Sequence, residues 1–285
     1  MDKEIISWID ANGTEYVLTD QEDISISIGP SGRYMPPIEY TEDEVPFQPG
    51  SRARDVKVKA REMDFPVEIN GETQMDIRNK LRQLLRIFNP LKGDGKIKSI
   101  IPDGSQREIV CRYKGGLEIN ESGQIWEKFI LVLKAFDPYW YDTATIVKTF
   151  KTNESLGRFF PILPLRLASS TVFADTTIDN TGDVETWPEW IITGPGENII
   201  LRNMTTGEVL EMTIKLEAWE SITIDTKPFI KTIIRNDGTN LYYTLTDESS
   251  LWALQDGQNS IRIEMSDVTD DSKVQLSYKN RYWGP

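Results

Sequence analysis

The sequence of 285 residues contains no histidine and only one cysteine, Cys111. The absence of histidine excludes a Ser-His-Asp triad, a Cys-His pair and every zinc site that depends on imidazole. A single cysteine forms neither an internal disulfide nor a cysteine-rich metal site, and we expect it to fill core space. The catalytic chemistry that remains is a pair of carboxylates, as in glycoside hydrolysis. We therefore predict no metal, no cofactor, no catalytic residues and no enzyme activity.

Long hydrophobic runs are also missing. No stretch approaches the roughly 18 consecutive apolar residues that a membrane-spanning helix needs. The opening segment, MDKEIISWID, is acidic and poor in apolar side chains, unlike a secretory signal peptide. Hydrophobic residues make up 39% of the chain and charged residues 27%, which is typical of a soluble globular protein. We therefore expect no membrane association.

Basic side chains are scarce: 32 Lys and Arg stand against 45 Asp and Glu, for a net charge of −13. Proteins that grip nucleic acid need a basic surface, because neutralised phosphates dominate the affinity. We therefore expect this protein to repel DNA on average. The charge is uneven, with a net −9 in residues 1–50 and +5 in residues 51–100. This asymmetry indicates either solvated faces of opposite sign or head-to-tail complementarity between copies.

Residues 29–50, GPSGRYMPPIEYTEDEVPFQPG, are rich in proline and predict one long extended loop. The loop holds too many apolar residues for a disordered spacer. We therefore expect it to pack on its own domain or on a neighbouring copy. We predict that the following loop residues form a subunit interface: Tyr34, Met35, Ile38, Tyr40 and Phe47.

The segment RNKLRQLLRIFNPLKGDG, residues 78–95, is the one strongly helical passage. We place the helix start at Gly71 or Thr73 and its end at Asn89-Pro90, since the residue before a proline avoids the helical region. Apolar positions at steps of three and four predict one buried stripe: Ile77, Leu81, Leu84, Leu85 and Phe88. The opposite face carries Arg78, Arg82 and Arg86. These arginines are either a solvated face or partners for carboxylates of a neighbouring subunit, and we include them in the predicted interface.

Two β-rich halves surround a segment without clear periodicity. We predict an N-terminal domain at residues 1–143, a linker or entry segment at 144–165 and a second domain at 166–285. Short apolar runs separated by turn signals predict an antiparallel sandwich for the second domain. The cluster Tyr139, Trp140 and Tyr141 suits either a sugar-stacking platform or the seal of a domain edge, and we favour the seal.

Tryptophan is concentrated in the second half of the chain. Exposed tryptophans indicate carbohydrate binding, whereas buried ones fill a sandwich core. Both alternatives stay open from the sequence. The candidate glycan-binding residues are Trp187, Trp190, Trp219 and Trp252.

Taken in order, these features resemble the distal tail proteins of siphophages, the long-tailed phages. MPPIEY and PFQPG (residues 35–40 and 46–50) resemble the family's long N-terminal loop, and residues 76–109 resemble its helix, Asn-Pro stop and following hairpin. KFILVLKAFDPYWYD (residues 128–142) resembles the close of its N-terminal domain. TGDVETWPEW (residues 181–190), NIILRN and the final LSYKNRYWG resemble its C-terminal sandwich.

The resemblance implies a mainly β structural virion protein. Its N-terminal domain would be sandwich-like or split-barrel-like with one packed helix, and its C-terminal sandwich would be lectin-like. It further implies a homohexameric ring that joins the tail tube protein to the tail hub or tip protein and takes part in host attachment. DNA would pass through the ring without being gripped, and receptor-binding proteins or host glycans are further implied partners. The implied location is the distal end of the virion tail, after assembly in the host cytoplasm.

Two other function classes stay open from the sequence. One is a carbohydrate-binding protein of the tail tip that recognises host surface glycans. The other is a glycosidase that acts through paired carboxylates.

Overall fold

The computed structural model describes residues 3–19, 23–26, 29–47, 49–151 and 172–285. The chain forms two compact units, residues 1–143 with 282–285 and residues 144–281. The predicted linker, residues 144–165, begins with a strand, and its part from residue 152 onward lies outside the described residues. The last four residues of the predicted second domain belong to the first unit.

The first unit is built on one large antiparallel sheet and a single described α-helix, which is followed by a short 3-10 helix at Pro90–Lys92. In chain order its elements are β1 Ile5–Ile9, β2 Glu15–Val17, β3 Ile24–Ile26, β4 Ile38–Glu44, β5 Ser51–Val58, β6 Arg61–Asn70, α1 Gln74–Ile87, β7 Gly95–Ile100, β8 Gln106–Gly116, β9 Glu121–Ser122, β10 Trp126–Ala135 and β11 Trp140–Asp142. The strand order of the large sheet is β2-β1-β7-β8-β10-β6-β3, with β11 on β8 and β9 on β10. Strands β4 and β5 pair only with each other in a separate two-stranded sheet.

Alternation along the central strands places one face of the sheet in the core. In β6 the side chains of Met63, Phe65, Val67 and Ile69 are buried, whereas those of Asp64, Pro66 and Glu68 between them are only partly buried. Strand β10 pairs with β6 along its whole length, from Arg61–Ala135 to Asn70–Trp126. Strand β8 pairs with β7 through its first half and with β10 through its second half, so it joins two parts of the sheet.

The helix begins and ends close to where the sequence predicts. Thr73 is the N-cap, and its hydroxyl accepts a 3.2 Å hydrogen bond from the backbone NH of Asp76. Three members of the predicted stripe, Ile77, Leu84 and Phe88, are buried, and Leu81 packs partly buried against the same core. The prediction was wrong for Leu85, which is 51% exposed because it lies on the flank of the stripe. Burying a leucine such as Leu84 contributes about 2 kcal/mol.

The second unit is a sandwich of two antiparallel sheets. Its elements are β12 Ile146–Lys151, β13 Val172–Asn180, β14 Glu189–Thr193, β15 Gly196–Asn203, β16 Glu208–Leu216, β17 Ser221–Asp225, β18 Thr232–Arg235, β19 Gly257–Ser266 and β20 Lys273–Tyr278. One sheet has the order β12-β20-β14-β17-β18 and the other β13-β19-β15-β16. Residues of both sheets share one apolar core, which includes Ile192, Leu201 and Ile263. The mainly β class, the single described α-helix and the antiparallel sheets confirm the predicted fold class.

The chain returns to the first unit through β21 (Arg281–Tyr282), which pairs with β11. Residues 282–285 are counted with the first unit and are named the tail below. The guanidinium of Arg107 lies 3.6 Å from the centroid of the Tyr282 ring and donates a 2.7 Å hydrogen bond to the carbonyl of Gly284. The tail is therefore an ordered part of the first unit.

Candidate assembly interface

Residues 38–58 form a hairpin, named the arm here, whose first part, residues 38–50, falls in the predicted long loop. The loop prediction was wrong for residues 38–44, which form β4 and pair with β5 from Ile38–Val58 to Glu44–Ser51. The prolines that suggested an irregular segment flank the strand instead of interrupting it. A proline disrupts a strand only where it removes a paired backbone NH.

The arm has an apolar face that stays in solvent. Directly paired residues point to the same side of a hairpin, so Ile38, Tyr40, Val56 and Val58 share one face. Tyr40 and Val56 are each more than half exposed. An isolated two-stranded hairpin is only marginally stable in water. The arm therefore has the composition of a segment that binds another surface.

The arm is also acidic along β4, where four of seven side chains are carboxylates. Lys59 pairs with Glu39 at 2.8 Å and holds the pKa of that carboxyl below its ordinary value. Arg54 pairs with Asp43 across the hairpin. Nothing in the described part of the chain gives Glu42 or Glu44 a basic partner. Strand β4 therefore presents surplus negative charge.

Phe47 lies in the turn between β4 and β5, and its aromatic side chain is fully exposed. Its backbone has φ of +66°, the left-handed region that bulky residues seldom occupy. Strain of this kind costs about 1–3 kcal/mol and clusters at functional sites. Together with the half-exposed Val45, Phe47 forms an apolar tip of the type that dominates binding at interfaces.

The root of the arm is fixed by a buried guanidinium. Arg61 is fully buried and donates hydrogen bonds to the carbonyls of Arg33 at 2.5 Å, Tyr34 at 2.6 Å and Trp283 at 2.8 Å. Burial lowers the pKa of Arg61 to about 10, which still leaves it charged at neutral pH. Because Arg33 and Tyr34 precede the arm and Arg61 follows it, this one side chain ties both ends of the arm to the tail.

Further contacts fix the residues around the three carbonyls that Arg61 binds. Arg33 is buried and makes a two-pronged ion pair with Glu4, with both N–O distances at 2.8 Å. The indole NH of Trp140 donates a 2.9 Å hydrogen bond to the carbonyl of Arg33. A Cβ atom at Gly284 would lie 3.0 Å from the ring of Tyr34, a tight contact that would require the ring to shift by a few tenths of an ångström. Buried Trp140 and the 5.2 Å contact of the Tyr139 and Trp283 rings fit the seal that we favoured for this aromatic cluster.

A second candidate surface lies on the outer side of the helix and is named the helix face. Its residues are Met75, Arg78, Arg82, Leu85 and Arg86, with Leu91 just beyond the helix end. The three arginines are exposed, as predicted, and none of them has a carboxylate partner among the described residues. Leu91 is 93% exposed, and Met75 and Leu85 are each more than half exposed. The helix face therefore combines a basic row with apolar side chains.

The sheet face opposite the helix carries paired charges. Alternation puts these side chains on the side away from the buried core. Each of the following six bases lies within 4 Å of a carboxylate: Lys96, Lys98, Arg112, Lys114, Lys128 and Lys134. Five carboxylates serve these six bases, since Lys114 and Lys134 share Glu62, so the bases do not form an uncompensated cationic row.

The eight predicted interface residues fall on these two surfaces. The structure places Tyr34 and Met35 at the arm root, Ile38, Tyr40 and Phe47 on the arm, and the three arginines on the helix face. All are exposed except Ile38, which is half-buried. Sequence reasoning missed Arg61 and Trp283, because a contact between residues 222 positions apart leaves no local signal.

The four candidate glycan-binding tryptophans do not form one site. Trp190 and Trp252 are buried and pack edge to face at 5.6 Å in the sandwich core, so the prediction was wrong for both. Buried rings offer no surface for a sugar to stack on. Trp187 precedes β14 and Trp219 precedes β17, which are antiparallel, so these two lie at opposite ends of the strand pair, on the order of 15 Å apart. Trp219 alone is well exposed, at 75%.

Cys111 is buried in the first-unit core, and burial raises the pKa of its thiol. Among the described residues, no group of three or more Cys, Asp or Glu side chains is placed to hold a metal ion. No helix in the described ranges has the length and apolar character needed to cross a membrane.

Two family models match the sequence. Residues 11–135 match a phage tail protein RIFT-related domain. Residues 181–282 match the C-terminal domain of a siphovirus-type tail component. The two matches are consecutive along the chain and together cover most of it. Comparison with curated proteins finds no match.

Solved structures of phage tail components have a similar fold. The Dit (gp 19.1) protein of phage SPP1 is 15% identical with a TM-score of 0.71, over 98% of this chain and 99% of that chain. Its structure is described as a paradigm of hub adsorption apparatus in phages that infect Gram-positive hosts. A chain of the activated phage P2 baseplate with Ca is 10% identical with a TM-score of 0.54, over 99% of this chain and 100% of that chain. A chain of the activated phage p2 baseplate with Sr is 11% identical with a TM-score of 0.53, again over 99% of this chain and 100% of that chain. These likenesses show the fold.

Proposed function

Because the chain belongs to the family of siphophage distal tail proteins, we propose that it closes into a six-membered ring at the far end of the phage tail. The chain is a structural component of the tail or baseplate hub. In the proposed ring, copies contact one another head to tail through the first unit. The ring joins the tail tube protein to the hub or tip protein and leaves a channel for DNA.

The arm is the observation that carries this proposal. It is a two-stranded hairpin with an exposed apolar face, surplus carboxylates and a strained, fully exposed phenylalanine at its tip. Its root is fixed by a buried guanidinium. A rigid root with an exposed binding end suits an element that reaches a neighbouring copy. In a heterologous contact, one surface of each copy binds a different surface of the next copy. Repeated contacts of this kind form a closed ring when the rotations between successive copies add up to a full turn.

The paired charges of the large sheet support a channel that does not grip DNA. A net charge of −13 repels phosphates on average. The six bases on the face opposite the helix lie against five carboxylates, with Glu62 shared by Lys114 and Lys134, so this face lacks the basic footprint of a DNA-binding surface. We therefore assign this face to the channel side of the ring.

The remaining partners follow from the same proposal. The ring binds the tail tube protein on one side and the hub or tip protein on the other, and receptor-binding proteins can attach to it. The protein belongs to the virion tail, and we propose that it assembles in the host cytoplasm.

Two matched phenylalanines test the proposal. Phe47 and Phe229 are both fully exposed and both have positive φ, +66° and +69°, but Phe229 lies in the second unit. We expect Phe47→Ser to raise the protein concentration needed for ring assembly at least tenfold, as loss of an interface hot spot does. Phe229→Ser should leave assembly unchanged. Sedimentation velocity over a concentration series measures both.

A stronger variant removes the arm. The backbone NH of Lys59 donates a 2.9 Å hydrogen bond to the carbonyl of Pro37, so a short Asn-Gly turn can join these two residues. The armless protein should stay folded and monomeric. Rings that form as well from the armless protein as from the wild type would contradict the proposed role of the arm.

A further inference from the structure

The helix face is exposed although it carries three large apolar side chains. Met75, Leu85 and Leu91 surround the arginine row and have no cover within the described part of the first unit. Arg78, Arg82 and Arg86 are one helical turn apart, which spaces them by about 6 Å along the helix. A mixed row of this kind fits a partner with carboxylates at a similar spacing and an adjoining apolar group.

The arm has those features. Glu42 and Glu44 alternate along β4, so they point to the same side about 7 Å apart. Both lack a basic partner among the described residues, and three residues further on the exposed Phe47 provides the apolar group. The carboxylates of the arm therefore repeat at nearly the same interval as the arginines of the helix face.

The two surfaces do not meet within one copy. Strands β4 and β5 pair only with each other, and the helix face is solvent-exposed. A contact between the arm and the helix face must therefore join two copies. Guanidinium groups bind carboxylates with two parallel hydrogen bonds, which gives such a contact geometric specificity.

We propose that the arm of one copy docks on the helix face of the next copy. In this arrangement Glu42 and Glu44 pair with two of Arg78, Arg82 and Arg86, and Phe47 packs against an apolar residue at the end of the arginine row. The inference rests on the proposed ring and adds the surface that receives the arm. It also explains why the acidic arm and the basic helix occur in one chain of strongly negative net charge.

A charge-reversal pair tests the docking. The arm variant carries Glu42→Lys and Glu44→Lys, and the helix variant carries Arg78→Glu, Arg82→Glu and Arg86→Glu. Each variant alone brings like charges together at every contact, and we expect each to raise the concentration needed for assembly at least tenfold. An equimolar mixture should restore assembly. In alternating rings each reversed arm then meets a reversed helix, and each unchanged arm meets an unchanged helix.

The control is a second-unit variant with Asp247→Lys and Glu248→Lys, two exposed carboxylates whose reversal changes the net charge as much as the arm variant does. It should assemble like the wild type. All substituted residues are exposed, so circular dichroism melts of the variants should match the wild type. Native mass spectrometry of the mixture should find the two variants in equal numbers.

The outcomes separate the two proposals. Wild-type rings together with a mixture that stays unassembled would overturn the docking and leave the ring standing. If either variant alone assembles as well as the wild type, the docking proposal is also overturned. A wild type that forms no ring at any concentration would overturn the proposed function itself.

Discussion

The buried Arg61 offers the sharpest single test of how the arm is held. Replacement of Arg61 by Met keeps most of the buried volume but removes the guanidinium that binds the carbonyls of Arg33, Tyr34 and Trp283. We expect the first unit to stay folded, with the arm root and the tail released from each other.

The expected magnitude follows from the three hydrogen bonds. Loss of a hydrogen bond from a charged donor to a buried or partly buried carbonyl costs about 1–3 kcal/mol, and the carbonyl of Arg33 keeps the indole NH of Trp140 as a second donor. Burial of the charge offsets part of this loss, since burial lowers the pKa of Arg61 and so disfavours its charged form. We therefore expect a net loss of about 3 kcal/mol, and at about 2–4 °C per kcal/mol this lowers the melting temperature by about 6–12 °C.

The assay combines thermal unfolding with amide hydrogen exchange. Exchange in residues 33–35 and in the tail should accelerate, whereas the strands of the large sheet should keep their protection. Arg54→Met is the matched control, because Arg54 lies on the arm and its ion pair with Asp43 is exposed, so it should cost less than about 1 kcal/mol. A melting temperature for Arg61→Met within 1 °C of the wild type, with unchanged exchange at the root, would refute the reasoning.

Two further predictions concern the core of the first unit. Leu84→Ala should cost about 3 kcal/mol in urea unfolding, because Leu84 is buried, whereas Leu85→Ala should cost less than about 1 kcal/mol; equal effects would contradict the assigned orientation of the helix. Cys111 should resist a thiol reagent at pH 8 in the native state and react once the protein is unfolded, since burial raises its pKa and excludes the reagent. Because only the unfolded thiol ionises readily, the contribution of Cys111 to stability should fall as pH rises above its ordinary pKa; rapid native labelling would place it at the surface.

Local patterns predicted the regular elements well. The Thr73 cap, the three-and-four spacing of Ile77 and Leu84 and the Asn89-Pro90 stop are all local signals, and the helix follows them. The alternation from Met63 to Ile69 likewise gives β6. In each case the sequence pattern and the burial agree, because the periodicity of one element decides which side faces the core.

Features that depend on the rest of the fold were harder to predict. Trp190 and Trp252 were indistinguishable from exposed tryptophans until the two sheets of the sandwich were placed against each other. The proline-rich surroundings of β4 hid a strand, because pairing with β5 is not visible in either segment alone. The sequence around Arg61 is rich in basic residues and does not indicate that this one is buried. Its burial depends on the tail, which returns to the arm root from the far end of the chain.

The central claim is that copies of this chain close into a ring through the first unit. Native mass spectrometry of the purified protein over a range of concentrations tests it directly. The account predicts a dominant species at six times the 32.6 kDa mass of one chain, which the armless variant fails to form. A wild-type protein that stays at the mass of one chain at every concentration, with or without the tail tube and hub proteins, would contradict the account.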